Sequence, residues 1–157
     1  MLNFIGKTPV HPFLFISGKL AIFLTWTGFF SQFFYDIRFI RLPLIANQLA
    51  IAIFFIGLGI ALISILNLGF STRFGIPKEK TVFKTRGLYS YSRNPMYIGF
   101  GLMTIASVVF AFNPVIAVLA SYGGIIHHKI ILAEEAFLRQ AFGKQYEKYC
   151  KKVRRYL

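Results

Sequence analysis

Arg86-Gly-Leu-Tyr-Ser-Tyr-Ser-Arg-Asn-Pro-Met-Tyr-Ile-Gly99 is the stretch from which the rest of the chain is read. Its first half is polar, with hydrogen-bond donors on Arg86, Tyr89, Tyr91, Arg93 and Asn94, and from Met96 it passes straight into an apolar run. That composition belongs to a polar site at the edge of a membrane. Asn94-Pro95 reads as a helix start: an Asn side chain caps free backbone N–H groups, and proline suits the first helical position, where its missing N–H is not needed. Arg93 and Asn94 are therefore expected at a helix N-terminus, where exposed N–H groups and the helix dipole favour an anion.

The composition agrees with a membrane setting. Apolar residues make up 56% of the 157 and charged residues only 15%, with a mean hydropathy of +0.61. That is more apolar surface than a small soluble core can hide. Lys and Arg number 18 against 5 Asp and Glu, for a net charge of +13. These bases lie beside apolar runs rather than on a polar domain, which argues for anionic lipid headgroups and against nucleic acid as the partner. A single cysteine, Cys150, excludes an internal disulfide and a cysteine metal cluster.

Working outward, the apolar runs predict an all-α integral membrane fold with four spans, at about 13–34, 42–68, 95–112 and 114–132. Each is long enough to cross at about 1.5 Å per residue. Lys19 interrupts the first span near its start, from where its long side chain can snorkel back to the interface. The first run is longer than a signal-peptide core and is read as retained. Small residues Gly57, Gly59 and Ala61 in the second span, and Gly99 and Gly101 in the third, suit close helix packing. Asn113-Pro114 repeats the cap-and-proline start, so spans three and four form an antiparallel hairpin. Beyond it, Phe137, Leu138, Phe142, Tyr146, Tyr149, Val153 and Tyr156 recur at mostly helical spacing among bases. A basic amphipathic helix is expected over this tail, 133–157, bent at Gly143 and lying on the membrane surface.

The bases also set the orientation. With four spans, every Lys and Arg except Arg38 and Arg41 falls on the side shared by both chain ends and the 69–94 loop. That side is expected to be cytoplasmic. Compact size and basic charge suit a prokaryotic inner membrane.

A second polar cluster closes the fourth span: His127, His128, Lys129, Glu134 and Glu135. The hairpin returns it to the start of span three, so both acids are expected near Arg93 and Asn94. A cationic helix start facing carboxylates suits a zwitterion carrying a separate positive centre. S-adenosylmethionine is one such ligand among several, its carboxylate seeking Arg93 and its ammonium or ribose hydroxyls seeking Glu134.

Gly87-Leu-Tyr-Ser-Tyr-Ser-Arg-Asn-Pro-Met-Tyr-Ile-Gly99, followed by Glu134-Glu-Ala-Phe-Leu-Arg-Gln-Ala-Phe-Gly-Lys-Gln-Tyr-Glu-Lys-Tyr149, closely resembles the isoprenylcysteine carboxyl methyltransferase family and its phospholipid methyltransferase relatives. The resemblance covers about 81–157, half of the chain. It implies S-adenosylmethionine as cofactor, held on the cytoplasmic side by Thr81, Val82, Phe83 and Lys84, then Tyr89, then Asn94, Pro95, Met96 and Tyr97, then Glu134. It further implies direct methyl transfer to a lipophilic acceptor that enters from the bilayer. Arg93, His128 and Glu134 are the residues expected to carry the chemistry, His128 being the nearest base for an amine or hydroxyl acceptor. The sequence departs from the family pattern twice. Asn94 stands where many relatives have His, and apolar Ile130 stands where the eukaryotic enzymes place an Arg for the substrate carboxylate.

Other functions and plainer roles fit some of the same residues. The acceptor is a prenylcysteine-type carboxylate or related lipid, or the amine of a phospholipid. A non-catalytic transporter or scaffold, or a membrane reductase using NADPH, would keep the same spans, although no dinucleotide glycine fingerprint is present. Arg93, Lys84 and Arg86 suit positive-inside anchors, and Tyr89, Tyr91 and Tyr97 an interfacial belt. His127 and His128 are expected to end a span rather than bind metal, since no familiar ligand spacing is present. The oligomeric state is left open.

Overall fold

A computed structural model describes residues 10–69 and 83–157. Thr81, Val82 and half of the 69–94 loop, residues 70–82, lie outside the described residues. The elements are α1 (Pro12–Ser31), α2 (Leu44–Leu68), a short 3-10 turn (Gly87–Ser90), α3 (Pro95–Ala111), α4 (Pro114–Phe142) and α5 (Lys144–Lys152). The fold is all-α and membrane-integral. Among the described residues three helices, α1, α2 and α4, are long and apolar enough to cross a bilayer by length and composition. The fourth apolar helix, α3, has 17 residues, roughly 25 Å at about 1.5 Å per residue.

The helices pair as α2 with α3 and α1 with α4, with α1 also touching α3. Small residues make the first pairing possible. A Cβ on Gly57 would stand 2.7 Å from the Gly99 carbonyl oxygen, and one on Gly99 only 2.5 Å from the Gly57 oxygen and 2.7 Å from the Ala61 nitrogen. The two backbones therefore touch, as the stripe in span two predicts. Gly59 and Gly101 differ from expectation: a Cβ on either meets nothing within 4 Å. They lie off the helix seam because adjacent odd positions on a helix are turned about 200° apart.

The core sits where α1, α2 and α3 converge. Phe29 stacks on Phe54 at 4.0 Å between centroids and leans on Phe110 at 4.8 Å. Polar side chains in this layer are satisfied locally: Thr25, Ser64 and Ser107 bond carbonyls one turn back, and Trp26 Nε1 donates to Thr104 Oγ1 at 3.1 Å. Outward-facing Phe13, Phe23, Phe55, Ile105 and Val118 are exposed, as lipid-facing residues are.

The α1–α2 connection is a knot of charge. Asp36 accepts from Gln32 and Arg38 and pairs with Arg41 at 2.8 Å, and Asn113 Nδ2 ties the loop to the α3–α4 turn through the Ile37 carbonyl. Those hydrogen bonds, Arg38's foremost, hold the Asp36 carboxyl well below its usual range. Asn113 caps α4 as expected, accepting from the Val115 N–H at 2.9 Å.

α4 overruns the expected span end. It continues without a break through Glu134 and Glu135 to Phe142, 29 residues in all, because no glycine or proline falls between Gly124 and Gly143. At Gly143, φ is +47°, a conformation glycine adopts without Cβ strain, and the chain turns into α5. The aromatic face of α5 packs against the protein itself. Tyr146, Tyr149 and Val153 are buried against Phe83, Leu138 and Phe142, while Lys144, Lys148, Lys151 and Lys152 face outward.

Candidate functional site

At the end of the bundle where α3 begins and α4 ends, the two adjacent acids turn to different neighbours. Consecutive helical residues diverge by about 100°, so Glu134 faces α1 and α3 while Glu135 faces the C-terminal segment.

Glu135 is the hub of a clasp. Arg93 meets it with two parallel bonds, Nε to Oε1 at 3.0 Å and Nη2 to Oε2 at 3.1 Å, and Arg155 Nε donates to Oε2 at 3.0 Å. Asn94 Nδ2 donates to Oε1 at 3.1 Å and to the Arg155 carbonyl at 3.2 Å. Arg93 also donates from Nη1 to the Val153 carbonyl at 3.0 Å, and its backbone N–H reaches the Arg154 carbonyl at 2.9 Å. Ser92 Oγ completes the strap on the Arg155 carbonyl. Burial works against the Arg93 charge, and the Glu135 carboxylate outweighs it, raising the guanidinium pKa. Two cations on one buried carboxylate are what makes an acid this deep tolerable.

Asn94 does not cap α3: its side chain makes no capping hydrogen bond. The reason is orientation: Nδ2 donates to the Glu135 carboxylate and to the Arg155 carbonyl, and that pose takes Oδ1 away from the N–H groups it would cap. Pro95 occupies the first helical position as expected.

Glu134 lies on the other side of the helix. Tyr97 Oη donates to it, 3.2 Å from each carboxylate oxygen, and the Tyr97 ring meets His127 edge-on at 5.6 Å. The Tyr89 hydroxyl lies within electrostatic range of Glu134, and burial together with neighbouring Tyr149 and Glu134 pushes its pKa well up. Tyr149 Oη donates to the Tyr89 carbonyl at 2.5 Å, fixing the 3-10 turn. Burial likewise pushes Tyr149 up to about 12.

Between α3 and α4 runs an apolar groove of about 460 Å³, lined by Phe100, Thr104, Ile105 and Val108 on one wall and Ala120 and Gly124 on the other. Tyr97, His127, His128 and Tyr156 form its polar mouth. His128 Nδ1 and Tyr156 Oη lie 2.6 Å apart. Of the other expected cofactor residues, Phe83 packs into the α5 cluster against Phe142 at 5.0 Å and Lys84 Nζ donates to the Leu68 carbonyl. Met96 is half-buried in the first turn of α3.

The family model for phospholipid methyltransferases matches residues 45–145, well over half of the chain, including Arg93, Asn94, Tyr97, Glu134 and Glu135. The chain belongs to the phospholipid methyltransferase family. Among curated relatives it is 39% identical over 70 residues to a probable protein-S-isoprenylcysteine O-methyltransferase of Oryza sativa subsp. indica, covering 44% of this chain and 37% of the rice protein. It is 33% identical over 79 residues to the protein-S-isoprenylcysteine O-methyltransferase of Dictyostelium discoideum, covering 48% of this chain and 32% of that one. The fold is similar to that of a eukaryotic intramembrane Ras methyltransferase, an isoprenylcysteine carboxyl methyltransferase, with a TM-score of 0.67 and 24% identity over 86% of this chain and 50% of that structure. The chain therefore spans about a third of the curated relatives it matches and half of the solved structure.

Three contributors escape a reading of the sequence. Arg155 and Tyr156 reach the site only because the strap folds back, and Tyr149 only because α5 turns at Gly143. The Arg154-Arg155-Tyr156 run is a visible signal, but one that also suits a solvated tail.

Proposed function

We propose that the protein is an S-adenosylmethionine-dependent methyltransferase acting on a lipophilic acceptor at the membrane face. The observation that carries this is the polar centre Tyr97–Glu134 standing at the mouth of an apolar groove between two helices. Family membership and the names of its relatives support the same reaction class.

The donor set fits the cofactor. Glu134 offers an anionic acceptor for ammonium or ribose hydroxyls, Tyr97 and Tyr89 are neutral hydroxyls beside it, and the first turn of α3 has no side-chain cap. When bound, S-adenosylmethionine supplies an electrophilic methyl on a sulfonium. This chain's residues do the rest by positioning. Glu134 and Tyr97 bind and orient, the Glu135–Arg93–Arg155 clasp holds the ends of α3 and α4 together, and the groove aligns an apolar tail so that the nucleophile meets the methyl in line. Thr81 and Val82 are assigned to the same pocket from the family resemblance.

The acceptor we infer is a prenylcysteine-type carboxylate, which needs no base. A phospholipid amine is the second reading, favoured by His128 and Tyr156 at the groove mouth, where a base can take up the ammonium proton. The topology proposed is four spans with both ends of the described chain at the cytoplasmic face, supported by the exposed lysines of α5. A prokaryotic inner membrane suits the compact size and the charge. Calorimetric titration of S-adenosylmethionine into protein in lipid nanodiscs, followed by radiolabel transfer to a prenylcysteine or to phosphatidylethanolamine, tests the reading. Saturable binding with label in one acceptor establishes it; no binding to folded protein overturns it.

A further inference from the structure

Lys19 is a cation inside a span, and such a residue is costly unless a partner compensates it. Its place follows from how α1 meets α4. A Cβ on Gly18 would stand 2.4 Å from Ile126 Cγ2, and one on Gly123 would stand 2.6 Å from Ile22 Cγ1 and 3.2 Å from the Gly18 oxygen. The two helices are thus pressed together one residue before Lys19. From there they run so that Phe15 packs on Ile126 and Ile130. Continuing the Ile126–Ile130 stripe by one more turn of α4 arrives at Glu134.

A helical side chain leans toward the N-terminus of its own helix. Lys19 accordingly reaches back over Phe15, with Nζ 4.5 Å from the ring centroid. Phe15 belongs to the cluster against which Tyr97 packs, and Tyr97 holds both oxygens of Glu134. The Lys19 ammonium and the Glu134 carboxylate act on each other's charge, and His127 feels Lys19 as well. Among the described residues, Lys19 from α1, Tyr97 from α3 and Tyr89 from the 3-10 turn act on Glu134, and His127 of α4 stands beside the Tyr97 ring.

We propose that Lys19 is a positioning residue for Glu134: its ammonium compensates the carboxylate and fixes its direction against Tyr97, making the first span part of the cofactor pocket. Among the described residues, Glu134 thus differs from Glu135 in that the cation acting on it comes from another span. The role in ligand binding rests on the cofactor reading above; the charge coupling does not.

A double-mutant cycle tests both parts. In ligand-free protein in nanodiscs, Lys19→Met and Glu134→Gln should each lower the thermal midpoint, and the double variant should lose less than the sum, since it leaves neither charge alone. Additive losses would overturn the proposal. In calorimetry, Lys19→Met should weaken S-adenosylmethionine binding by about tenfold and Lys19→Arg should restore most of it. Unchanged affinity in Lys19→Met, or failure of Lys19→Arg to rescue it, would overturn the positioning role. Coupling in the ligand-free cycle with no cofactor binding by the wild type would support the pair and sink the cofactor reading instead.

Discussion

Arg93 and Glu135, 42 residues apart in the chain, face each other through two parallel hydrogen bonds of 3.0 and 3.1 Å. Their side chains are only 12% and 8% exposed. The pair joins the start of α3 to the end of α4, and Arg155 and the carbonyls of the tail close over it. Removing one member leaves a charge without its partner in a low-dielectric site. Arg93→Ala should therefore cost on the order of 3–5 kcal/mol, read as a fall in thermal midpoint in nanodiscs. Arg155→Ala, at a more exposed position, should cost less.

The neighbouring acid should behave in the opposite way. Glu134→Gln should abolish S-adenosylmethionine binding while shifting the midpoint less than Glu135→Gln does. Tyr97→Phe removes a hydrogen bond to a charged group, about 1.5–3 kcal/mol, and should weaken binding by roughly ten- to a hundredfold. Calorimetry beside thermal unfolding separates the two acids. Equal effects of Glu134→Gln and Glu135→Gln on both readouts would refute the division of labour.

Gly57 and Gly99 should not tolerate a methyl group. Gly99→Ala places a Cβ 2.5 Å from a carbonyl oxygen, and relieving it by separating α2 from α3 should cost about 1–3 kcal/mol. Gly101→Ala, where the added atom meets open space, should be nearly silent. Thermal unfolding of the two variants in parallel checks this.

Alkaline pH should loosen the α5 cluster. The Tyr149 hydroxyl titrates at about 12 in the folded protein against an ordinary 10.0, so the folded state favours its neutral form. That stabilisation is whole below pH 10.0 and is lost as the pH rises toward 12. Tyr149→Phe should lose about 1 kcal/mol at neutral pH with its bond to the Tyr89 carbonyl, and should flatten part of the alkaline decline. Unfolding followed from pH 9 to 12, with tyrosinate absorbance as the titration readout, distinguishes the two.

The groove should govern the acceptor and not the cofactor. Gly101→Leu puts a side chain into the space between α3 and α4, so it should lower kcat/KM for a prenylated or acylated acceptor while leaving S-adenosylmethionine affinity intact. Loss of both would mean that the groove and the cofactor pocket are one space.

Helix identity and the α3–α4 hairpin were legible in the chain because they depend on local terms. Apolar runs of span length leave the backbone no alternative to a helix in lipid, Asn113-Pro114 starts α4, and Gly143 provides the backbone freedom for the turn into α5. The approach of Glu134 and Glu135 to the Arg93–Asn94 corner was legible for the same reason, since a tight hairpin must return its far end to its beginning.

What the tertiary structure alone decided is the direction of each side chain. Sequence places two acids together, and only packing shows that one meets Arg93, Asn94 and Arg155 while the other meets Tyr97. Asn94 has the chemistry of a cap, yet its Nδ2 donates to a buried carboxylate from a distant part of the chain, and that pose takes its Oδ1 away from the local N–H groups. The aromatic stripe of α5 has the pattern of a membrane-docking face, yet Phe83 and Phe142 cover it. Local propensities and hydropathy are sums over neighbours in sequence. The fate of a polar group at a buried corner depends on which partner comes within about 3 Å, and in this protein those partners arrive from the start of α3, the end of α4 and the C-terminal residues around Arg155 at once.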